Sequence, residues 1–267
     1  MCGIVGYAGY RRAAPILLQG LRRLEYRGYD SYGIATLASE VCVHKKAGKV
    51  SDLPDSQGML QGTIGIGHTR WATHGIPSDV NAHPHQDCTD KIAVVHNGII
   101  ENYAHLKREL IGRGHTFRSE TDTEVIAHLI EEAYAGDLLE AVRITLPLLT
   151  GSYALLIISA GEDRLIAARN QSPLVLGIGD GEILAASDIT PLLEYTSRII
   201  YLDDGDIAEL KPDSYSVYFG DSPAEREIKE ITWTPDTVQK GGFAHYMLKE
   251  IFEQPDAIHR AVHAVSE

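Results

Sequence analysis

The feature that most restricts the fold is a series of short β-prone runs filling the second half of the chain. Residues 153–158, 165–167, 174–178, 183–185, 199–202, 207–210 and 215–219 are strand-length and mostly apolar. Gly, Asp and Pro punctuate the intervals, the signature of strands joined by turns. The first half is different. Residues 34–37, 41–44, 63–68 and 92–95 also read as strands, but amphipathic stretches lie among them. Leu17, Leu21 and Leu24 recur at helical spacing, which predicts a helix over residues 12–26 with Pro15 in its first turn. Tyr103, Leu106 and Leu110 mark a second helix, closed by Gly112 and Gly114. Thr121 and Glu124 are spaced as a capping box ahead of Val125, and Asp137 and Glu140 repeat that spacing before residues 138–149. Residues 51–61 are expected to hold a short helix within a loop. Strands, then a block of helices, then more strands describe an α+β layered domain with largely antiparallel sheets.

A chain of 267 residues can bury one large core or two small ones. Its formal net charge of −13 argues against nucleic acid or an anionic membrane surface as the main partner. Three scattered cysteines, Cys2, Cys42 and Cys88, do not make a disulfide framework and fit a reducing, cytoplasmic setting. The opening lacks the pattern of a secretory signal. Apolar runs such as Ala154-Leu155-Leu156-Ile157-Ile158 fall far short of a membrane span.

The chemistry starts at Met1-Cys2-Gly3-Ile4-Val5-Gly6. A small second residue generally permits loss of the initiator methionine, so Met1 is expected to be removed and Cys2 exposed as the N-terminus. An α-amine has a reference pKa of about 7.7–8.0 and a thiol about 8.5. One residue would then carry both a nucleophile and its base. Three polar stretches adjoin buried strands: His68-Thr69-Arg70-Trp71-Ala72-Thr73-His74-Gly75, His96-Asn97-Gly98 and Glu120-Thr121-Asp122-Thr123-Glu124. Taken singly, each has an ordinary structural reading. Arg70 could be a surface ion-pair residue, Asn97-Gly98 a tight turn, and Asp122 the complement of a helix N-terminus.

Together with the opening, these stretches resemble the glutaminase domain of class II glutamine amidotransferases. Leu24-Glu25-Tyr26-Arg27-Gly28-Tyr29-Asp30-Ser31 and Asn81-Ala82-His83-Pro84-His85 are similar to the glucosamine-6-phosphate synthase branch of that family. The resemblance implies a four-layer αββα sandwich of the N-terminal nucleophile hydrolase type. It also implies hydrolysis of L-glutamine to glutamate and ammonia through a thioester on Cys2, with no cofactor. Asn97 and the Gly98 N–H would hold the oxyanion, since preorganised donors at such a point are worth a few kcal/mol, about 2.7–4 for one donor. Arg70 offers a fork for the substrate carboxylate, Asp122 a counter-charge for its ammonium, and Thr73 and His74 could complete the pocket. Trp71 would act as a gate for released ammonia. Arg27 is either a support for the site or a structural ion-pair residue.

His83, His85 and Cys88, with His96 nearby, invite a zinc reading. Their spacing matches no strong zinc signature, and the expectation is a shaped loop without metal. Asp203-Asp204-Gly205-Asp206 lacks the alternating ligands of a calcium loop and is expected to be a turn between strands. Residues 1–240 are expected to form the glutaminase domain. Gly241-Gly242 reads as a break before a final helix near Phe243, and residues 241–267 resemble the connector to a sugar isomerase region that the chain lacks. Fructose 6-phosphate would be a partner only through that region, and the full-length form would be a homodimer. Open alternatives are the glutaminase half of amidophosphoribosyltransferase or asparagine synthetase, and a non-catalytic glutamine-binding module.

Overall fold

A computed structural model describes residues 2–50, 60–72, 75–232, 247–249, 251–255 and 258. In chain order the elements begin with β1 (Gly3–Ala8), α1 (Ala13–Leu24), β2 (Ser31–Leu37), β3 (Val41–Ala47), β4 (Ile64–Arg70), β5 (His85–Gln86) and β6 (Ile92–Ile100). Three helices follow, α2 (Tyr103–Gly112), α3 (Glu124–Ala133) and α4 (Leu138–Thr145). The remaining strands are β7 (Gly151–Ser159), β8 (Leu165–Asn170), β9 (Val175–Ile178), β10 (Ile183–Ala186), β11 (Arg198–Tyr201), β12 (Asp206–Leu210), β13 (Tyr215–Phe219), β14 (Ser222–Pro223) and β15 (Ile228–Glu230).

The strands form two sheets. One runs β15-β11-β9-β10-β1-β4-β2-β3, the other β14-β13-β12-β8-β7-β6-β5. Neighbouring strands within each are antiparallel, as the turn-punctuated sequence leads one to expect. The continuous apolar run in β7 has a direct physical cause: both of its faces are covered. Ala154, Leu156 and Ile158 enter the core between the sheets with Ile4, Ile66 and Leu176. Leu155 and Ile157 point the other way, into a second core with Val125, Ile126, Leu129 and Val142 of α3 and α4. Helix α1 packs on β1 and β4 of the first sheet through the stripe of Leu17 and Leu21, both fully buried. Each fully buried Leu or Ile contributes about 1.5–3 kcal/mol relative to exposure. The layers are helix, sheet, sheet, helices: a four-layer αββα sandwich.

Most strand expectations hold, with ends shifted by a few residues. Two features differ. The first helix ends at Leu24, and Glu25–Arg27 continue as a single 3-10 turn. The capping box at α3 does not form: Thr121 Oγ1 faces Ser119 Oγ and His85 Nε2 instead. Glu124 turns back to accept from the Arg118 and Ser119 N–H groups at 2.7 Å each. The carboxylate thus caps the loop ahead of the helix. At α4 the cap does form, with Asp137 Oδ1 accepting from the N–H groups of Leu139 and Glu140.

The chain divides into two units, Met1–Glu230 and Ile231–Glu267. In the second, residues 247–249 and 251–255 are helical. The expected helix within residues 51–61, the Gly241-Gly242 break and a helix start at Phe243 lie largely or wholly outside the described residues.

Candidate active site

Strand β1 lies between β4 and β10, and Cys2 immediately precedes it. The Trp71 N–H donates to Cys2 Sγ at 3.2 Å, and Sγ lies 3.5 Å from the Trp71 carbonyl. Burial pushes the thiol pKa up, opposed by the Trp71 N–H and by the charge of Arg70. At neutral pH such a sulfur needs a base to become an effective nucleophile.

Trp71 is placed by its neighbours. Arg70 ends β4, and the Asp30 N–H donates to the Arg70 carbonyl at 3.0 Å while Asp30 Oδ2 accepts from the Ala72 N–H at 2.9 Å. Gly28 lies against this turn so closely that a Cβ there would stand 2.8 Å from the Arg70 carbonyl carbon. The Trp71 ring is half exposed and meets Tyr29 edge to face, with centroids 5.4 Å apart. Arg27 points elsewhere. It pairs with Asp188 at 3.1 Å and reaches the Ser187 carbonyl. Ser187 in turn accepts the Ile4 N–H on its hydroxyl and donates its own N–H to the Ile4 carbonyl, so this group braces β1.

The second stretch arrives from the other sheet. Asn97 and Gly98 are not a turn but lie within β6, opposite Ala154 and Tyr153 of β7. Asn97 Nδ2 donates to the Cys2 carbonyl at 3.2 Å, tying the two sheets together at Cys2. Gly98 has φ +134°, and a Cβ would meet the Ser152 carbonyl oxygen at 2.0 Å, so no other residue fits without a shift of the strand.

The Asn97 amide is itself oriented. His68 Nε2 lies 3.1 Å from both Asn97 Oδ1 and the His96 carbonyl, and donates toward these oxygens. His68 is fully buried, which lowers its pKa to about 3 and keeps the ring neutral. His83 Nδ1 contacts His68 Nε2 at 3.1 Å, and His85 Nε2 faces Thr121 Oγ1 at 3.0 Å. His83 and His85 therefore belong to a buried hydrogen-bonded network, held in a loop whose Val80, Ala82 and Pro84 carbonyls accept from Lys45 Nζ. His68 is the positioning residue that a reading of the sequence passed over. It stood in the first polar stretch, but nothing in its spacing from Asn97 announces the contact.

Arg70 is 4% exposed, and its Nη2 donates to the Gly75 carbonyl at 3.3 Å. Burial lowers its pKa, and Cys2, Asp122 and Asp30 act on it in the opposite sense, which puts all four groups in one electrostatic neighbourhood. Asp122 is buried and accepts the Ile100 N–H on Oδ2 at 2.8 Å, two residues along β6 from Gly98. The structure thus gathers Cys2, Arg70, Trp71, Asn97, Gly98 and Asp122. Thr73 and His74 lie outside the described residues. Asp203-Asp204-Gly205-Asp206 is a turn between β11 and β12, with Arg226 on Asp203 and Asp206.

A cysteine heading the central strand of an αββα sandwich, with a carboxamide from the opposite sheet at its carbonyl, defines an N-terminal-nucleophile glutamine amidotransferase domain. A family model described as "Glutamine amidotransferase domain" matches residues 68–194. The chain is similar over its whole length to the glutamine–fructose-6-phosphate aminotransferase (isomerizing) of Thermococcus kodakarensis, at 55% identity, covering 46% of that protein. The same enzyme from a strain of Thermus thermophilus is 54% identical over 96% of this chain and 43% of its own length. Among solved structures, glutamine phosphoribosylpyrophosphate amidotransferase from B. subtilis shares 27% identity over 82% of this chain and 49% of its own, with a TM-score of 0.71. The chain spans about half the length of the curated relatives it matches. Its similarity is to the glutamine amidotransferase part of the glutamine–fructose-6-phosphate aminotransferases. Among the described residues no helix is long and apolar enough to cross a membrane.

Proposed function

We propose that this chain hydrolyses L-glutamine to glutamate and ammonia at Cys2, and that Met1 is removed to free the Cys2 amine as its base. The amine takes the thiol proton as sulfur attacks the side-chain amide carbon. The oxyanion is held by the second Asn97 Nδ2 hydrogen, the first being used on the Cys2 carbonyl, and by the Gly98 N–H. The protonated amine returns its proton to the leaving nitrogen, which departs as ammonia and leaves a thioester. Water activated by the same amine then releases glutamate and restores the thiol. Arg70 holds the substrate α-carboxylate and Asp122 its ammonium, with Thr73 and His74 completing the pocket. Trp71 shields departing ammonia, and Arg27 supports the site through Ser187 and β1.

The observation that carries this reading is the junction of the two sheets at Cys2: the Trp71 N–H on Sγ and the Asn97 amide on the Cys2 carbonyl. Identity of 55% to an aminotransferase, against 27% to the phosphoribosylpyrophosphate amidotransferase, favours the amino-sugar branch. In that branch residues 1–240 are the glutaminase domain and 241–267 the connector. The complete protein would be a cytoplasmic homodimer transferring the nitrogen to fructose 6-phosphate.

Glutamate release from glutamine, without sugar phosphate, tests the reading. The parent chain with an intact mass lacking Met1 is expected to be active, and Cys2→Ala inactive. Full activity with Met1 retained would sink the amine-as-base step. A processed chain that is inactive would favour the non-catalytic binding module.

A further inference from the structure

One cluster of ligating side chains has no part in the chemistry above. Cys88 lies just beyond β5, His115 follows α2, and His128 and Glu131 lie one turn apart on α3. Their ligand atoms all fall within 4.8 Å of one another. Cys88 Sγ is 3.5 Å from His115 Nδ1 and 3.5 Å from His128 Nδ1. Glu131 Oε2 is 3.1 Å from His115 Nδ1 and 3.2 Å from His128 Nδ1.

These separations are the edges of a small tetrahedron. With zinc–nitrogen and zinc–oxygen bonds of about 2.0–2.1 Å and zinc–sulfur of about 2.3 Å, tetrahedral edges are about 3.3 Å for N to O and about 3.5 Å for S to N. The surroundings fit as well. His115 Nε2 faces Glu132 Oε1 at 3.3 Å, within hydrogen-bond reach, whereas His128 Nε2 lies 3.6 Å from Glu124 Oε1, an ion-pair separation without a hydrogen bond. By giving its outer N–H to Glu132, His115 presents a lone pair on its inner nitrogen, the usual arrangement for a metal ligand. Two inner nitrogens, a sulfur and a carboxylate oxygen then converge, and acceptors so placed call for a cation among them.

We infer that Cys88, His115, His128 and Glu131 form a tetrahedral zinc site that fastens the β5–β6 turn and the α2–α3 loop to α3. Binding releases the thiol proton to solvent, so a thiolate and a carboxylate balance the divalent charge. The four protein ligands leave no open position, which makes the role structural. Spacing along the chain groups Cys88 with His83, His85 and His96 instead, but folding sends His83 toward His68, His85 toward Thr121 and the His96 ring toward Thr123.

The full chain, produced in zinc-supplemented medium and purified without chelator, is assayed for zinc by elemental analysis and separately loaded with Co²⁺. About one zinc per chain is expected, together with the visible spectrum of tetrahedral, thiolate-ligated cobalt. Stripping the zinc should lower the thermal midpoint, and adding it back should restore it. Cys88→Ser should abolish the sulfur-to-cobalt charge-transfer band. Glu132→Gln, which leaves all four ligands in place, should weaken zinc binding by about 10–100-fold. Absence of stoichiometric zinc together with a featureless cobalt spectrum in the parent overturns the site. So does a charge-transfer band that survives Cys88→Ser, since the sulfur would then be Cys2 or Cys42. The parent carries the decisive readouts whether or not a variant folds.

Discussion

Replacing Asn97 by alanine separates the oxyanion contact from the rest of the site. The side chain makes two hydrogen bonds, Nδ2 to the Cys2 carbonyl at 3.2 Å and Oδ1 from His68 Nε2 at 3.1 Å. At about 0.5–1.5 kcal/mol each, their loss should cost about 1–3 kcal/mol of stability. For a domain of this size that is a fall in Tm of about 2–10 °C, so an assay well below the transition still sees folded protein. The catalytic loss should be larger, about 2.7–4 kcal/mol in the barrier, or 10²–10³-fold in kcat. Glutamate release across a glutamine series should show this loss in kcat with little change in KM, because the oxyanion exists only in the transition state. Asn97→Asp sharpens the test. It keeps an acceptor for His68 but sets a carboxylate oxygen where Nδ2 faces the Cys2 carbonyl, so its kcat should be no better than that of the alanine variant. A kcat within tenfold of the parent for Asn97→Asp, or a loss confined to KM, would refute the assignment.

Asp122→Asn should raise KM for glutamine roughly 10–100-fold with little loss of fold, because the amide oxygen can still accept the Ile100 N–H; thermal unfolding beside a KM titration checks both. Arg70→Lys should likewise act on KM, through loss of the bidentate fork, and an unchanged KM would remove Arg70 from the pocket. Gly98→Ala should abolish activity and destabilise the domain by at least about 1–3 kcal/mol from backbone strain alone, read by denaturant midpoint. The Glu124 carboxyl is pushed up by burial, but His128 and the N–H groups of Arg118 and Ser119 outweigh this and hold it at about 2. A folded pKa below the unfolded value of about 4.3 stabilises above that pH, and the gain, up to about 3 kcal/mol, is lost as pH falls toward 2. Urea unfolding between pH 6 and pH 2.5 should show the loss in the parent and a flatter profile in Glu124→Gln.

The strands were legible because their apolar runs are short and bounded by Gly, Asp and Pro; the candidate site could be drawn up only from the combination of its polar stretches with the opening Cys2, since each stretch alone has an ordinary structural reading. Pairing was not legible. Nothing local to Gly3–Ala8 says that its partners are Ile64–Arg70 and Ile183–Ala186, since side-chain alternation fixes a face but not a neighbour. The Thr121–Glu124 spacing misled for a related reason. Glu124 found the N–H groups of Arg118 and Ser119, and tertiary demand for buried acceptors overrode the local capping pattern. Asn97-Gly98 looked like a turn because the dipeptide favours one, yet the β6–β7 ladder stretches it into strand. Cys88 and His128 are forty residues apart, and only the packing of α3 beside the β5–β6 turn brings them to 3.5 Å.

The central place of β1 also bears on when the surroundings of Cys2 are completed during synthesis. Val5 pairs with Ala186, so the strand leading from Cys2 has no partner on that side until some 180 further residues have left the ribosome. At about 5–20 residues per second that interval is roughly 10–40 s. Throughout it the Asn97 donor and the Ser187 brace arrive in turn, and the cysteine stays an ordinary thiol on an unfinished sheet. The contacts that surround Cys2 are therefore complete only once almost the whole domain has been made.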